Sequence, residues 1–75
     1  MKTIGESRVR VDFNPSQNDT VSQIKQKSAD LINQINDLPV PEKATVNPGE
    51  FLRLKALAAT AVEEAAMWAV KATTF

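Results

Sequence analysis

Between Ala56 and Ala72, eight of seventeen residues are alanine, and Leu57, Val62, Met67, Trp68 and Val70 stand among the rest. Alanine is the best helix former, so this stretch is a helix before it is anything else. Its start is marked by Asn47-Pro48-Gly49-Glu50. Asn47 is placed to cap, Pro48 to take the first helical position and Glu50 to close a capping box. The helix is expected over residues 48–73. Phe51, Leu52 and Leu54 extend its apolar surface, which leaves little of the cylinder polar. A helix that is apolar most of the way round is buried on more than one side. One neighbouring helix cannot cover it, so further chains are expected to.

The first half holds one candidate neighbour. Val21, Ile24, Leu31, Ile32, Ile35 and Leu38 recur at spacings of three and four, with small Ser28 between them, and form one stripe. Lys25, Gln26, Asp30, Asn33 and Gln34 are assigned to the other faces. Asn14, Ser16 and Asn18 are alternative starts for this helix, and with Pro15 in its first turn it is drawn over residues 15–38. Leu38-Pro39-Val40-Pro41 stops it, because neither proline can continue a helical ladder. Residues 39–47 form the connection. Ahead of all this, Met1 to Gly5 reads as a loose end. Ser7 to Phe13 then alternates, with Val9, Val11 and Phe13 on one side and Arg8, Arg10 and Asp12 on the other. That is strand periodicity. A lone strand has nothing to pair with here, so residues 1–14 are read as an extended arm lying on another subunit and presenting two arginines. The expected fold is all-α: one domain, an antiparallel helical hairpin with an N-terminal arm, assembled into an interlocked homo-oligomer.

Size leads to the same assembly. A chain of 75 residues buries only about 60% of the surface its unfolded form exposes. Below roughly 70–80 residues such chains are held by disulfides, a metal or a partner. There is no cysteine and no histidine, which leaves neither disulfides nor the usual metal ligands. No metal and no cofactor are therefore expected. Nine basic and nine acidic residues cancel, unlike the basic excess of a DNA or RNA binder. No stretch approaches the ~20 apolar residues of a membrane span, and Met1 to Arg10 has no apolar run of signal-peptide length.

Enzyme chemistry has no foothold. There is no phosphate-binding glycine loop, no nucleophile beside a base and no metal spacing. The adjacent Glu63 and Glu64 point about 100° apart on a helix and are read as a solvated edge. Four features remain that can bind. Phe13 is either a staple packed on the first helix or an aromatic plate for a nucleobase. Arg8 and Arg10 are either solvated charges or phosphate donors. Lys25 and Lys27 carry the same two readings. Lys71, Thr73 and Thr74 either complement a helix C-terminus or, around a symmetry axis, form a ring of donors.

The segments Arg8-Val9-Arg10-Val11-Asp12-Phe13-Asn14-Pro15-Ser16, Ile24-Lys25, Leu54-Lys55-Ala56-Leu57-Ala58 and Glu63-Glu64-Ala65-Ala66-Met67-Trp68-Ala69-Val70-Lys71-Ala72 resemble the phage anti-CBASS cyclic-oligonucleotide sponges. They are most similar to the version carried by T-even-like coliphages, and the resemblance runs from about Arg8 to the C-terminus. It implies a homohexamer, a trimer of dimers, in the cytoplasm of the infected bacterial host. It implies that cyclic dinucleotides such as cGAMP are bound between subunits and held uncleaved, so that CBASS effectors never receive their signal. Phe13 and Lys25 match the family's stacking aromatic and phosphate-binding lysine, with Arg8, Arg10 and Ser28 beside them. Relatives often carry tyrosine where Phe13 stands, so a contact made by that hydroxyl has no counterpart. Cyclic trinucleotides would occupy separate threefold sites, for which Lys71, Thr73 and Thr74 are the candidates. The competing reading is a small structural or adaptor oligomer that binds another protein.

Overall fold

The computed structural model describes residues 2–10 and 19–75. Among them there are helices and no strands: α1 (Ile4–Val9), α2 (Asp19–Asn36), a short 3-10 turn at Glu42–Thr45, and α3 (Pro48–Thr73). Asn47 caps α3 by accepting the Glu50 amide, as its position suggests, and Pro48 occupies the first turn. The Glu50 carboxylate does not close the box. It takes the Arg53 guanidinium instead, and each partner holds the other in its charged form.

The N-terminal segment departs from expectation. Ile4 to Val9 is helical and not extended, and it packs on its own chain. The reason is local. Thr3 accepts the Glu6 amide at 3.1 Å while the Glu6 carboxylate accepts the Thr3 amide at 3.0 Å, a complete capping box. Reciprocal capping satisfies donors that a helix this short otherwise leaves open. Gly5 and Val9, four residues apart, are then buried together, where alternation had paired Val9 with Val11 and Phe13. Val11 and Phe13, with the alternative helix starts at Asn14, Ser16 and Asn18, lie outside the described residues.

Docking of α1 is unusually close. The Gly5 backbone lies so near α2 that a Cβ there would meet the Ala29 carbonyl oxygen at 1.9 Å. The Gly5 amide donates to Asn33 Oδ1 at 2.7 Å, and Asn33 Nδ2 donates to Thr3 Oγ1 at 2.9 Å. Asn33, assigned to a polar face, is thus the polar clasp of this joint.

α2 and α3 run antiparallel. Ile32 of α2 packs beside Ala59, and Lys25, two turns earlier, faces Ala66 and Val70 further along α3. The core is Val9, Ala29, Ile32, Ala59 and Ala66, with Ile24 and Val62 against it. Of the six expected stripe residues only Ile24 and Ile32 belong to it. Leu31 and Leu38 are exposed, while Lys25, assigned to the solvent side, is only 7% exposed. Gly5 of α1 sits on Ala29 and the α1 cap sits on Lys25, so α1 shields this part of α2 and the buried stripe is rotated toward it.

The molecule measures 47 × 27 × 12 Å. Its thinnest dimension is one helix diameter, about 10–12 Å. The helices therefore form a single layer, whereas a closed core needs at least two. On α3, Ala59 and Ala66 face inward, while Leu54, Leu57, Met67 and Trp68 are all more than half exposed.

Candidate functional site

The C-terminal end of α1, the middle of α2 and the second half of α3 enclose a cleft of about 450 Å³. That is within the roughly 300–1,000 Å³ of small-ligand pockets. Arg8, Arg10 and Lys25 line it together with Glu63, Glu64, Thr60, Val9, Ala66, Met67 and Val70. Three of the residues singled out in the sequence thus meet in one place, although they lie on two helices and a cap.

Each cation is placed by a specific local cause. Arg10 is the C-cap of α1 in the left-handed region, φ 56° and ψ 56°, with its amide turned back onto the Glu6 and Ser7 carbonyls. This conformation costs a non-glycine residue roughly 1–2 kcal/mol. It ends the helix sharply and exposes the Arg10 side chain at the cleft. Lys25 supports the turn from below: its Nζ donates to the Arg10 carbonyl at 3.2 Å. Burial, and after it the Arg10 guanidinium nearby, push the Lys25 ammonium below its usual range. A cation held in this way gains most from an incoming anion, which would restore the solvation that burial removed. Arg8 crosses to α3, where its Nε and Nη2 donate to Glu63 Oε2 at 3.1 and 2.9 Å and Nη2 reaches Thr60 Oγ1 at 3.3 Å.

The apolar share of the lining comes from Val9, Ala66, Met67 and Val70. These provide an apolar surface against which a planar group can pack. The cations and this surface together suit a ligand with phosphates and flat rings.

The remaining expected residues are placed elsewhere. Ser28 donates to the Ile24 carbonyl at 2.7 Å, a bond within its own helix, and does not line the cleft. Phe13 lies outside the described residues. Lys71 sits with its Nζ 5.7 Å from the centre of the Trp68 ring. Thr73 and Thr74 turn their hydroxyls back onto the Val70 and Lys71 carbonyls at 2.6 and 3.0 Å. These three residues form the end of α3, well separated in sequence from the cleft's cations.

Sequence reading missed Glu63. Its side chain is still 43% exposed, at a partly solvated edge, but it is also the ion-pair partner of Arg8. Only a contact 55 residues apart could have revealed this, and periodicity carries no such information. Glu64 accepts the Trp68 indole N–H at 3.3 Å. Among the described residues no cluster of three or more His, Cys, Asp or Glu side chains could hold a metal, and no helix is long and apolar enough to cross a membrane.

A family model described as the Acb2/Tad1 hairpin domain matches residues 5–74. No curated protein and no solved structure gives a significant match.

Proposed function

The chain belongs to the Acb2/Tad1 hairpin family of anti-CBASS cyclic-oligonucleotide sponges, and from that premise we propose that it binds cyclic dinucleotides in the cleft and holds them without cleavage. The observation that carries this reading is the convergence of Arg8, Arg10 and Lys25 on one partly apolar cleft. Arg10 and Lys25 meet the phosphates, and Met67 and Val70 supply apolar contact for a base. Phe13 follows Arg10 by three residues and is the stacking plate. Sequestration requires affinity and no chemistry, and the cations and apolar walls of the cleft supply that affinity. By withholding the messenger in the cytoplasm of an infected host, the protein would keep CBASS effectors inactive.

The functional unit in this reading is a homo-oligomer, with six copies favoured by the family resemblance. What supports it is the single-layer shape and the line of Leu54, Leu57 and Trp68 exposed along α3. Neighbouring chains would cover that line and complete the open side of the cleft. Lys71, Thr73 and Thr74 would then gather at an axis as a second site for cyclic trinucleotides.

Calorimetric titration with cyclic GMP–AMP tests the assignment. Phe13→Ala should weaken binding by about 1–3 kcal/mol through lost stacking. Arg10→Ala should lose roughly 1.5–3 kcal/mol through a lost charge-assisted bond. Parental affinity in both variants, with assembly intact by gel filtration, would place the ligand elsewhere.

A further inference from the structure

We propose that Glu63 is the base-reading residue of the cleft and that it favours guanine. The inference rests on the cyclic-dinucleotide reading above and adds to it the identity of the base. A carboxylate in a pocket for a dianion is at first sight misplaced, because it repels the phosphates that Arg10 and Lys25 attract. It becomes useful only if the ligand brings hydrogen-bond donors to it.

The structure shows which donors Glu63 is placed to take. Arg8 approaches it with two N–H groups side by side, Nε at 3.1 Å and Nη2 at 2.9 Å. Both bonds fall on Oε2. A carboxylate has about four lone-pair sites, so acceptor capacity remains on Oε1. Guanine contains the same guanidine unit in its Watson–Crick edge, with N1–H and the 2-amino group as adjacent donors. Adenine presents an acceptor at N1 beside its 6-amino donor, and a carboxylate repels that acceptor. Uracil flanks its one N–H with two carbonyls. Guanine is therefore the base whose edge a carboxylate matches without conflict. Arg8 has a complementary role. It anchors Glu63 through Oε2, with Thr60 accepting from the same guanidinium at 3.3 Å, and so orients the carboxylate. Ala66, Met67 and Val70 provide the apolar surface along the cleft on which a base read in this way would lie.

The test is calorimetric titration of the parent protein, Glu63→Gln and Glu63→Ala with cyclic di-GMP and with cyclic di-AMP. The ratio of the two affinities is the readout, because loss of the Arg8 partner affects both ligands alike and cancels. The parent should prefer cyclic di-GMP by tenfold or more, the size of one bond to a charged group. Glu63→Ala should bring the ratio near one. Glu63→Gln, whose amide matches adenine's donor–acceptor pair, should shift the ratio toward cyclic di-AMP. Thermal melts of the free variants check that each is folded; Glu63 is partly exposed on a long helix, and alanine and glutamine both suit a helix. A parent that does not discriminate, or substitutions that change both affinities by one factor, would overturn the base assignment and leave the sponge reading standing. Failure of both probes to bind the parent would overturn the base assignment and the sponge reading together.

Discussion

Gly5→Ala is the smallest change that should disable the cleft without touching it. The added Cβ would lie 1.9 Å from the Ala29 carbonyl oxygen, 2.7 Å from its carbon and 2.8 Å from Asn33 Oδ1. Ordinary contact begins at 3.4 Å, so α1 must back away from α2 by about 1.5 Å. The nearest atoms are backbone and cannot rotate aside. Withdrawal breaks the 2.7 Å bond from the Gly5 amide to Asn33, worth about 0.5–1.5 kcal/mol. It also uncovers Val9, whose burial contributes about 1.5–3 kcal/mol. Against this, alanine gains up to about 1 kcal/mol of helix propensity. The net loss of α1 docking is about 1–3 kcal/mol, the usual range for overpacking. α1 has six residues, and its other anchors, the Arg8 bonds to Glu63 and Thr60 and the Lys25 bond to the Arg10 carbonyl, need the docked position, so it should detach while α2 and α3 stay paired. Arg8 and Arg10 leave the cleft with it. Apparent affinity for a cyclic dinucleotide then falls by the fraction still docked, tenfold or more if docking is marginal. Hydrogen exchange at residues 5–10 and tryptic cleavage after Arg8 and Arg10 report detachment; calorimetry reports affinity. Gly49→Ala is the control, since a Cβ there meets nothing within 4 Å. It should stabilise by about 0.4–1 kcal/mol and leave binding unchanged. A Gly5→Ala protein with α1 still protected and parental affinity would refute the reasoning.

Lys25→Met separates function from stability. It removes a buried charge, whose desolvation costs several kcal/mol, and with it the bond to the Arg10 carbonyl. Melts should show a loss of no more than about 1 kcal/mol, while cyclic-dinucleotide affinity falls at least tenfold; a much lower melting point with unchanged affinity would make Lys25 structural. The direction of the Lys25 shift also fixes a pH dependence. Its folded pKa lies below the unfolded value, so its cost to stability is complete below the folded pKa and is relieved as pH rises from there toward about 10.5. Binding of a phosphate needs the charged form, so affinity in the parent should fall over that same alkaline window, and this fall should vanish in Lys25→Met. Trp68→Glu places a charge on the exposed apolar line of α3, and light scattering should show loss of the homo-oligomer, whereas persistence of the parental mass would exclude that line from the interface.

The two long helices were legible because their signals are local. Asn47-Pro48 marks the start of α3, the alanine run sustains it, and the prolines after Leu38 close the first helix. Helix α1 was harder to see because valine alternation and a Thr3–Glu6 capping box compete over the same ten residues. The box wins, since it satisfies backbone donors at once and a lone strand satisfies none. Lys25 was misplaced for a tertiary reason. Its place on α2 is polar by sequence, and the end of α1, whose Arg10 carbonyl it bonds, packs against it. Arg8, Arg10 and Lys25 were legible as candidate anion donors. That they share a cleft depends on the left-handed turn at Arg10 and on the reach of Arg8 to α3, neither of which leaves a periodic mark.

The central claim is that this chain captures a cyclic dinucleotide and returns it unchanged. One experiment addresses both halves: the protein is melted in the presence of cyclic GMP–AMP, and the ligand is then recovered by chromatography. A ligand bound only by the folded state at a hundred times its Kd stabilises by about 2.7 kcal/mol. For a chain of this size that corresponds to a rise in Tm on the order of 10 °C. That rise is expected together with quantitative recovery of intact cyclic ligand. An unchanged melting point, or linear product formed in proportion to the protein added, would contradict it.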